Sequence, residues 1–299
     1  MEPLTESILR HAAQIAQDVN AKAIFVYADV FPDLHEIRKI AREAKLVIVT
    51  KQKIEADEAE GVAETILPVP PISLTRMGQI KIALLIAFSK ELIRAGDHIV
   101  CLSGIAGSGI LDTVMVLQVG EEFELFKSMG DYRLTESVNP EVFERVVQMA
   151  TKLAVEGREG KPVGAFFVIG DTDKVSEYCS QLVINPFHGY PEEERNILDE
   201  RLEETIKEFS AVDGAFVIRG DGTIISAGTY LQPGKRGEKL PQGLGARHEA
   251  AASITASTDA IAVTISESTG TVTTFRAGKI IMEIEKPRRI PTEPTTKAK

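Results

Sequence analysis

The sequence predicts an α/β protein of two domains: an N-terminal three-layer α/β domain with a mostly parallel sheet, and a C-terminal α/β domain with a mixed sheet. The first observation is length, since 299 residues are about twice what one domain usually needs. The second is the alternation of helical periodicity with short apolar runs of strand composition. We expect the domains at 1–126 and 127–286, followed by a disordered tail at 287–299 that is rich in Pro, Thr, Lys and Arg.

In the N-terminal half, a helix followed by a strand occurs three times. Leu4, Ile8, Ile15 and Val19 share one helical face, and an apolar run of strand composition follows at 23–27. Further helices are predicted around 34–41 and 80–93, and further strands at 46–49, 99–102 and 114–119. The prolines between 68 and 71 predict a connecting loop instead of a regular element.

The C-terminal half begins after a charged segment, 121–133, which we interpret as the seam between the domains. Pro140 is well placed to start a helix, and the spacing of Ile197, Leu198, Leu202, Ile206 and Phe209 predicts a long amphipathic helix. The remaining predicted elements are helices at 140–155 and 246–256 and strands at 163–169, 216–218, 223–226, 260–265, 272–275 and 279–284.

Charge and composition limit the possible functions. The formal net charge of −10 argues against binding nucleic acid or an anionic membrane through bulk charge, so local groups must hold any anionic ligand. Cys101 and Cys179 lie far apart among apolar neighbours, which favours buried thiols over a disulfide or a zinc site. No apolar run approaches the roughly 20 residues of a membrane span. We expect a soluble, cytoplasmic protein.

Three short segments of the C-terminal half carry candidate chemistry. Asp213-Gly214-Ala215 stands at a predicted helix-to-strand junction, where the carboxylate could bind Mg²⁺ or Mn²⁺. Gly245-Ala246-Arg247-His248 enters a predicted helix, whose first N–H groups and cationic side chains suit a phosphate. Ser266-Glu267 ends a predicted strand. The alternatives are a turn aspartate, a solvated helix start and a polar turn.

Two loops carry weaker signals. The loop 185–190 could border a base-binding pocket, although a packed loop is the simpler interpretation. The glycine-rich loop 104–109 could bind phosphate through backbone N–H groups, but a plain turn is favoured because the context of a dinucleotide fold is missing. The sequence contains no Walker motif and no H-E-x-x-H motif.

Taken together, Asp213-Gly214-Ala215, Gly245-Ala246-Arg247-His248 and Ser266-Glu267 resemble the diadenylate cyclase domain, whose motifs occur in the same order. The N-terminal half, above all the segment 92–100 before the glycine-rich loop, looks like the C-terminal domain of pyruvate kinase. This pairing is similar to the archaeal class of diadenylate cyclases.

The resemblance implies condensation of two ATP molecules into cyclic di-AMP, with release of two pyrophosphates, between two cyclase domains that face each other. It implies that Asp213, Arg247 and His248 are catalytic and that Asp213 and Glu267 bind Mn²⁺ or Mg²⁺. It also allows a small-molecule effector on the N-terminal domain. The nucleotide-binding set that it implies is Gly214, Ala215, Tyr230, Leu231, Gly245, Ala246, Arg247, His248, Ser266 and Glu267.

The chain departs from the family pattern at three positions. Glu249 stands where the family has a second arginine, Ala246 where it has threonine, and Ser268 where many relatives have glutamate. The Glu249 departure leaves a nucleotide sensor that no longer turns over as one alternative to an active cyclase. A scaffold whose N-terminal domain recruits a partner is another alternative, for which the sequence gives no direct support.

Overall fold

The computed structural model describes residues 2–31, 33–41, 44–51, 65–69, 75–105, 107–120, 137–232 and 245–286. Within these ranges the chain forms two sheets, a five-stranded sheet before residue 121 and a seven-stranded sheet after residue 136. The prediction of a mixed α/β protein is confirmed. The seam 121–133, the boundary at 126 and the tail 287–299 lie outside the described residues, so those domain limits stay predictions.

The N-terminal sheet has the strand order β3-β2-β1-β4-β5. Strands β1 to β4 pair in parallel and β5 pairs antiparallel to β4, so the sheet is mostly parallel, as predicted. Every residue of β1 and β2 is buried, which explains their continuous apolar runs. The elements are α1 (Pro3–Asp18), β1 (Ala23–Tyr27), α2 (Leu34–Ile40), β2 (Leu46–Thr50), β3 (Thr65–Pro68), α3 (Arg76–Ser89), β4 (His98–Gly104) and β5 (Leu111–Gln118).

Two predictions for this half need correction. Strand β3 occupies part of the region interpreted as a loop; Pro68 is tolerated there because β3 is at the sheet edge. Helix α3 starts four residues before the predicted position, since the Thr75 hydroxyl accepts a hydrogen bond from the N–H of Gly78 at 3.0 Å and caps the helix. It ends at Ser89 instead of 93, and Glu91 follows with a positive φ of 56°.

The C-terminal sheet has the order β12-β11-β10-β6-β8-β9-β7. Strand β6 pairs in parallel with β8, and the other neighbouring strands pair antiparallel, which confirms the predicted mixed sheet. The elements are α4 (Pro140–Glu156), β6 (Phe166–Ile169), α5 (Thr172–Ser176), β7 (Cys179–Gln181), α6 (Glu203–Phe209), β8 (Ala215–Ile218), β9 (Ile224–Leu231), α7 (Ala246–Ser257), β10 (Ile261–Ile265), β11 (Val272–Arg276) and β12 (Lys279–Ile284), with 3₁₀ turns at Glu192–Glu194 and Glu200–Leu202.

The long amphipathic helix predicted from Ile197 to Phe209 is much shorter than expected, since the α-helix begins at Glu203. The N–H of Ile197 donates to the carbonyl of Gly222 at 2.8 Å, and the Asn196 side chain accepts from the N–H of Leu198 at 3.0 Å. These bonds hold the segment against the β8–β9 turn. Ile197 is fully buried, so the apolar residue at this position reflects burial of the segment and does not indicate a helix.

Packing joins the two halves of the chain. Buried apolar side chains from both halves form one contiguous cluster. At the surface of this contact, the Lys90 ammonium just after α3 lies 3.2 Å from the Glu144 carboxylate in α4. A second cluster lies beneath α7 and includes Phe166, Val217 and Phe275. Helix α7 is therefore fixed on the C-terminal sheet by its own core.

Candidate active site

An open cleft of about 1140 Å³ lies at the C-terminal sheet, beside the start of α7. The three predicted segments meet there, although they are separated in sequence. Ala215 is the exception among the predicted site residues, because it is buried in β8 and does not line the cleft. The lining residues are Lys161, Pro162, Phe166, Leu182, Asp213, Gly214, Thr229, Tyr230, Leu231, Gly245, Ala246, Arg247, His248, Ala250, Ile265, Ser266, Glu267 and Ser268.

Asp213 reaches the cleft from the junction between α6 and β8, as the sequence predicts. Its side chain is 89% exposed. Gly214 makes this turn possible, since it has a φ of +111° and a Cβ there would lie 2.6 Å from the backbone of Gly228 and Thr229. The close passage of β9 therefore sets the direction of the Asp213 carboxylate.

Arg247 and His248 lie in the first turn of α7. Gly245 occupies the N-cap with φ −79°, and no side chain caps the helix. Gly245 and Ala246 line the cleft, so this helix start faces it. Free N–H groups and the positive end of the helix dipole favour an anion here.

The Arg247 guanidinium lies between two carboxylates. Its Nη2 atom is 3.1 Å from Asp213 Oδ1, and its Nη1 atom is 3.6 Å from Glu267 Oε2. Gly164 of the segment before β6 passes so close that a Cβ there would overlap Nη1. Because the guanidinium contacts both acids, a divalent cation that took over the two carboxylates would leave Arg247 available to an anion.

His248 is buried and packs edge-on against Phe275, with ring centroids 5.8 Å apart. Burial, and to a smaller extent the positive charge of Arg247, lower the pKa of His248 below its usual value. The imidazole is therefore neutral at pH 7. A neutral imidazole has one N–H donor and one nitrogen acceptor.

The Ser266 hydroxyl is shared between the cleft and a turn. Its Oγ lies 3.2 Å from Ser268 Oγ and accepts from the N–H of Thr269 at 3.3 Å. The N–H of Ser266 donates to the carbonyl of Thr271 at 2.9 Å. This turn places Glu267 beside Arg247.

Two family models match the two halves of the chain. A family model described as "DisA bacterial checkpoint controller nucleotide-binding" matches residues 152–280, and one described as "Probable sensor domain DacZ_P" matches residues 4–126. A diadenylate cyclase of Methanocaldococcus jannaschii is 31% identical over 313 residues, which cover 94% of this chain and 97% of the relative.

The chain belongs to the diadenylate cyclase family. It is therefore an enzyme of the nucleotidyltransferase class, and the resemblance predicted from its motifs is confirmed. A diadenylate cyclase of Haloferax volcanii is 36% identical over 226 residues, covering 75% of this chain and 81% of the relative. The crystal structure of a double mutant of DacA from Staphylococcus aureus is 27% identical, with a TM-score of 0.33, and the match covers 47% of this chain and 84% of that one.

The residues of the two loops with weaker signals are not among the described residues that line the cleft. Phe187 is buried, with its ring centroid 6.0 Å from that of Phe209 and 6.4 Å from that of Phe216, and it anchors the loop 185–190, whose residues 188–190 are exposed. In the glycine-rich loop, the N–H groups of Gly107 and Gly109 donate to backbone carbonyls at 3.1 Å. These two groups are not free for phosphate, which supports a plain turn.

Neither cysteine has the properties of a nucleophile. Burial raises the pKa of Cys101 to about 12 and that of Cys179 to about 11. Within the described ranges, no three His, Cys, Asp or Glu residues are grouped so that they could hold a metal by themselves. In those same ranges, no helix has both the length and the hydrophobicity needed to cross a membrane.

Sequence reasoning missed part of the cleft wall. Lys161 and Pro162 belong to a loop that gave no functional signal, and Leu182 follows β7, a strand that was not predicted. Phe166 and Ile265 belong to runs predicted only as strands. Phe166, Ile265 and Leu231 contribute apolar residues to the cleft lining.

Proposed function

We propose that the protein condenses two ATP molecules into cyclic di-AMP and releases two pyrophosphates. The observation that carries this proposal is the Arg247 guanidinium between Asp213 and Glu267, in a cleft that joins an open helix start to an apolar wall. An apolar wall suits a purine base, and a helix start with an arginine suits phosphates.

In each half-reaction a ribose 3′-hydroxyl attacks the α-phosphorus of the other nucleotide. A new P–O bond forms, the bond between the α-phosphorus and the bridging oxygen breaks, and pyrophosphate leaves. The start of α7 and Arg247 hold the phosphates, His248 offers a neutral hydrogen bond, and Asp213 assists removal of the hydroxyl proton. Fixed positions and charge neutralisation provide most of the rate enhancement in such transfers.

Asp213 and Glu267 fit a divalent metal. Mg²⁺ and Mn²⁺ sites in proteins use one or two carboxylates and complete their coordination with substrate phosphates and water. One guanidinium already contacts both acids, which shows that they converge. When bound, Mn²⁺ or Mg²⁺ would lower the pKa of the attacking hydroxyl and neutralise phosphate charge.

The reaction needs two clefts that face each other, because the 3′-hydroxyl that attacks each α-phosphorus belongs to the nucleotide in the other cleft. Exposed apolar side chains at the cleft mouth support such self-association. Leu182 is 52% and Tyr230 is 48% exposed, and both line the cleft. Ile184, two residues beyond Leu182, is 94% exposed. A second copy of the chain would remove this patch from water.

A nucleotide sensor without turnover is the second candidate, and Glu249 is the observation behind it. This residue adds a negative charge to the first turn of α7. It is exposed, however, and does not line the cleft. The departure therefore leaves the phosphate side of the described cleft intact, which favours the active enzyme.

The deciding experiment incubates the purified protein with ATP and Mn²⁺ or Mg²⁺ and resolves the nucleotides by chromatography. If the protein is a cyclase, the wild type should form cyclic di-AMP. Asp213→Asn should form at least about 100-fold less, because the carboxylate that assists removal of the hydroxyl proton is lost. ATP binding by calorimetry without any product would favour the sensor. An active Asp213→Asn variant would contradict the role given to this residue.

A further inference from the structure

Lys161 is a cation on the cleft wall that lies outside the three motifs. It stands in the turn after α4, and its side chain is exposed. The N–H of Arg158 donates to the carbonyl of Lys161 at 2.9 Å, and the N–H of Lys161 donates to the carbonyl of Arg158 at 2.8 Å. These reciprocal bonds close the turn and fix the backbone of Lys161.

Two neighbours restrict this turn further. Gly157 has a φ of +67°, and a Cβ there would overlap the carbonyl oxygen of Lys161, so the turn depends on glycine. Pro162 follows Lys161, and a residue before proline is confined mainly to extended conformations. The lysine side chain therefore starts from a well-defined position at the cleft edge.

The turn lies close to the ion triad of Asp213, Arg247 and Glu267. Three residues after Lys161, the Cβ position of Gly164 is 3.2 Å from Glu267 Cβ and in contact with the Arg247 guanidinium. Three extended residues span about 10 Å at most. A lysine side chain bridges much of that distance, so its ammonium and the guanidinium can contact one phosphate chain.

The charges of the cleft show why a second cation matters. Among the described lining residues, the acids Asp213 and Glu267 oppose the cations Lys161 and Arg247, and His248 is neutral at pH 7. Arg247 is already paired with the two acids, whose combined charge of about −2 exceeds its own. Lys161 makes no ion pair with any residue that the structure describes, so its charge is available to a ligand.

We propose that Lys161 binds the phosphate chain of the nucleotide and supplies a second positive charge beside that of Arg247. This inference rests on the proposed function, since it takes ATP as the ligand. An ammonium is a compact point charge that suits phosphate oxygens without a fixed geometry. Lys161 is thus a substrate-binding residue at the edge of the cleft.

The test compares Lys161→Met with Lys161→Arg and with the control Lys174→Met. Lys174 is an exposed lysine of α5 with a side-chain exposure of 64%, and it does not line the cleft. Methionine keeps most of the length of the side chain, and the turn bonds are made by the backbone, so folding should be preserved. An unchanged melting temperature verifies this.

The probes are adenosine and an ATP analogue with a methylene group between the α- and β-phosphorus, which cannot release pyrophosphate. With Mn²⁺ present, calorimetry should show that Lys161→Met weakens binding of the analogue about tenfold, the effect of 1.4 kcal/mol. Adenosine binding should stay unchanged. Lys161→Arg should recover most of the affinity, and Lys174→Met should match the wild type.

Salt gives a readout that a purely structural role would not move. Analogue binding by the wild type should weaken more with added KCl than binding by Lys161→Met, because salt screens the exposed ammonium. If Lys161→Met lost affinity for adenosine and for the analogue equally, or lost affinity for neither, the proposal for Lys161 would be overturned. A wild type that neither binds the analogue nor forms product would instead refute the proposed function.

Discussion

Gly164 and Gly214 both border the cleft, but a side chain would meet different obstacles at the two positions. At Gly214 a Cβ would lie 2.6 Å from the backbone of β9, which cannot move without breaking strand pairing. At Gly164 it would meet the end of the Arg247 side chain, which can move. The first glycine is thus required by the fold and the second by the site.

We therefore expect Gly164→Ala to lower the rate of cyclic di-AMP formation at least about tenfold, because Arg247 must leave its place between Asp213 and Glu267. Stability should change by less than about 1 kcal/mol. Gly214→Ala is the contrasting variant and should lose more than about 2 kcal/mol, since its φ of +111° adds backbone strain. Urea unfolding and product assays separate the two effects. Full activity of Gly164→Ala would show that the position of Arg247 is not critical.

His248 gives a pH dependence whose sign follows from its burial. Its pKa in the folded protein is lowered, so between that pKa and about 6.5 the unfolded chain binds more protons than the folded one. This contribution to stability is present above pH 6.5 and is lost as the pH falls through the window below it. We expect urea midpoints to fall from pH 7.5 to 5.5 in the wild type, and less so in His248→Gln. Equal slopes in both proteins would contradict the assignment.

At the scale of single elements, the local sequence was sufficient to predict a strand that is buried on all sides or a helix that begins with a clear start signal. The predicted strand 23–27 matches β1, and the helix expected at Pro140 matches α4. Strand β7 could not be predicted, because its three residues are held by pairing with the distant β9. The same pairing explains why β9 continues to Leu231, beyond the predicted 226.

The cleft residues also divide into those that the local sequence could predict and those that it could not. Its three motifs could be predicted because each has a residue type with a distinct chemical role. Lys161 could not, since an exposed lysine in a charged loop has no local signature. Its significance depends on the turn and on the path of Gly164 past Arg247, which are tertiary features.

The segment after the edge strand β7 gives a prediction for the proposed self-association. Replacing Ile184, which is 94% exposed, by Glu places a charge on the apolar patch at the cleft mouth. We expect Ile184→Glu to weaken self-association and to reduce product formation at least about tenfold, while ATP binding stays within about twofold. Sedimentation measures the first effect. Leu198, 38% exposed and not a cleft residue, offers Leu198→Glu as the control. An unchanged association state for Ile184→Glu would contradict the proposed surface.

At the scale of the whole molecule, α4 connects the contact between the two halves with the cleft. Glu144 near its start faces Lys90 from the N-terminal half, and its end leads into the turn that holds Lys161. Its 17 residues span about 25 Å. Helix α4 therefore joins the contact with the N-terminal half, which matches a family model described as "Probable sensor domain DacZ_P", to the edge of the cleft.

The Lys90–Glu144 pair tests how firmly the halves are joined. Burial raises the pKa of Glu144, and Lys90 opposes this shift by pairing with the carboxylate. Lys90→Met should therefore destabilise the protein by about 1 kcal/mol, because it leaves a half-desolvated acid without its counter-charge. The double variant with Glu144→Gln should recover part of the loss, since a neutral amide needs no counter-charge and can still contact Gln148, which now donates to Glu144 at 3.1 Å. Urea unfolding of the four proteins in the double-mutant cycle gives the coupling energy. Purely additive losses would mean that the ion pair does not stabilise the contact, and the contact would then depend on apolar packing alone.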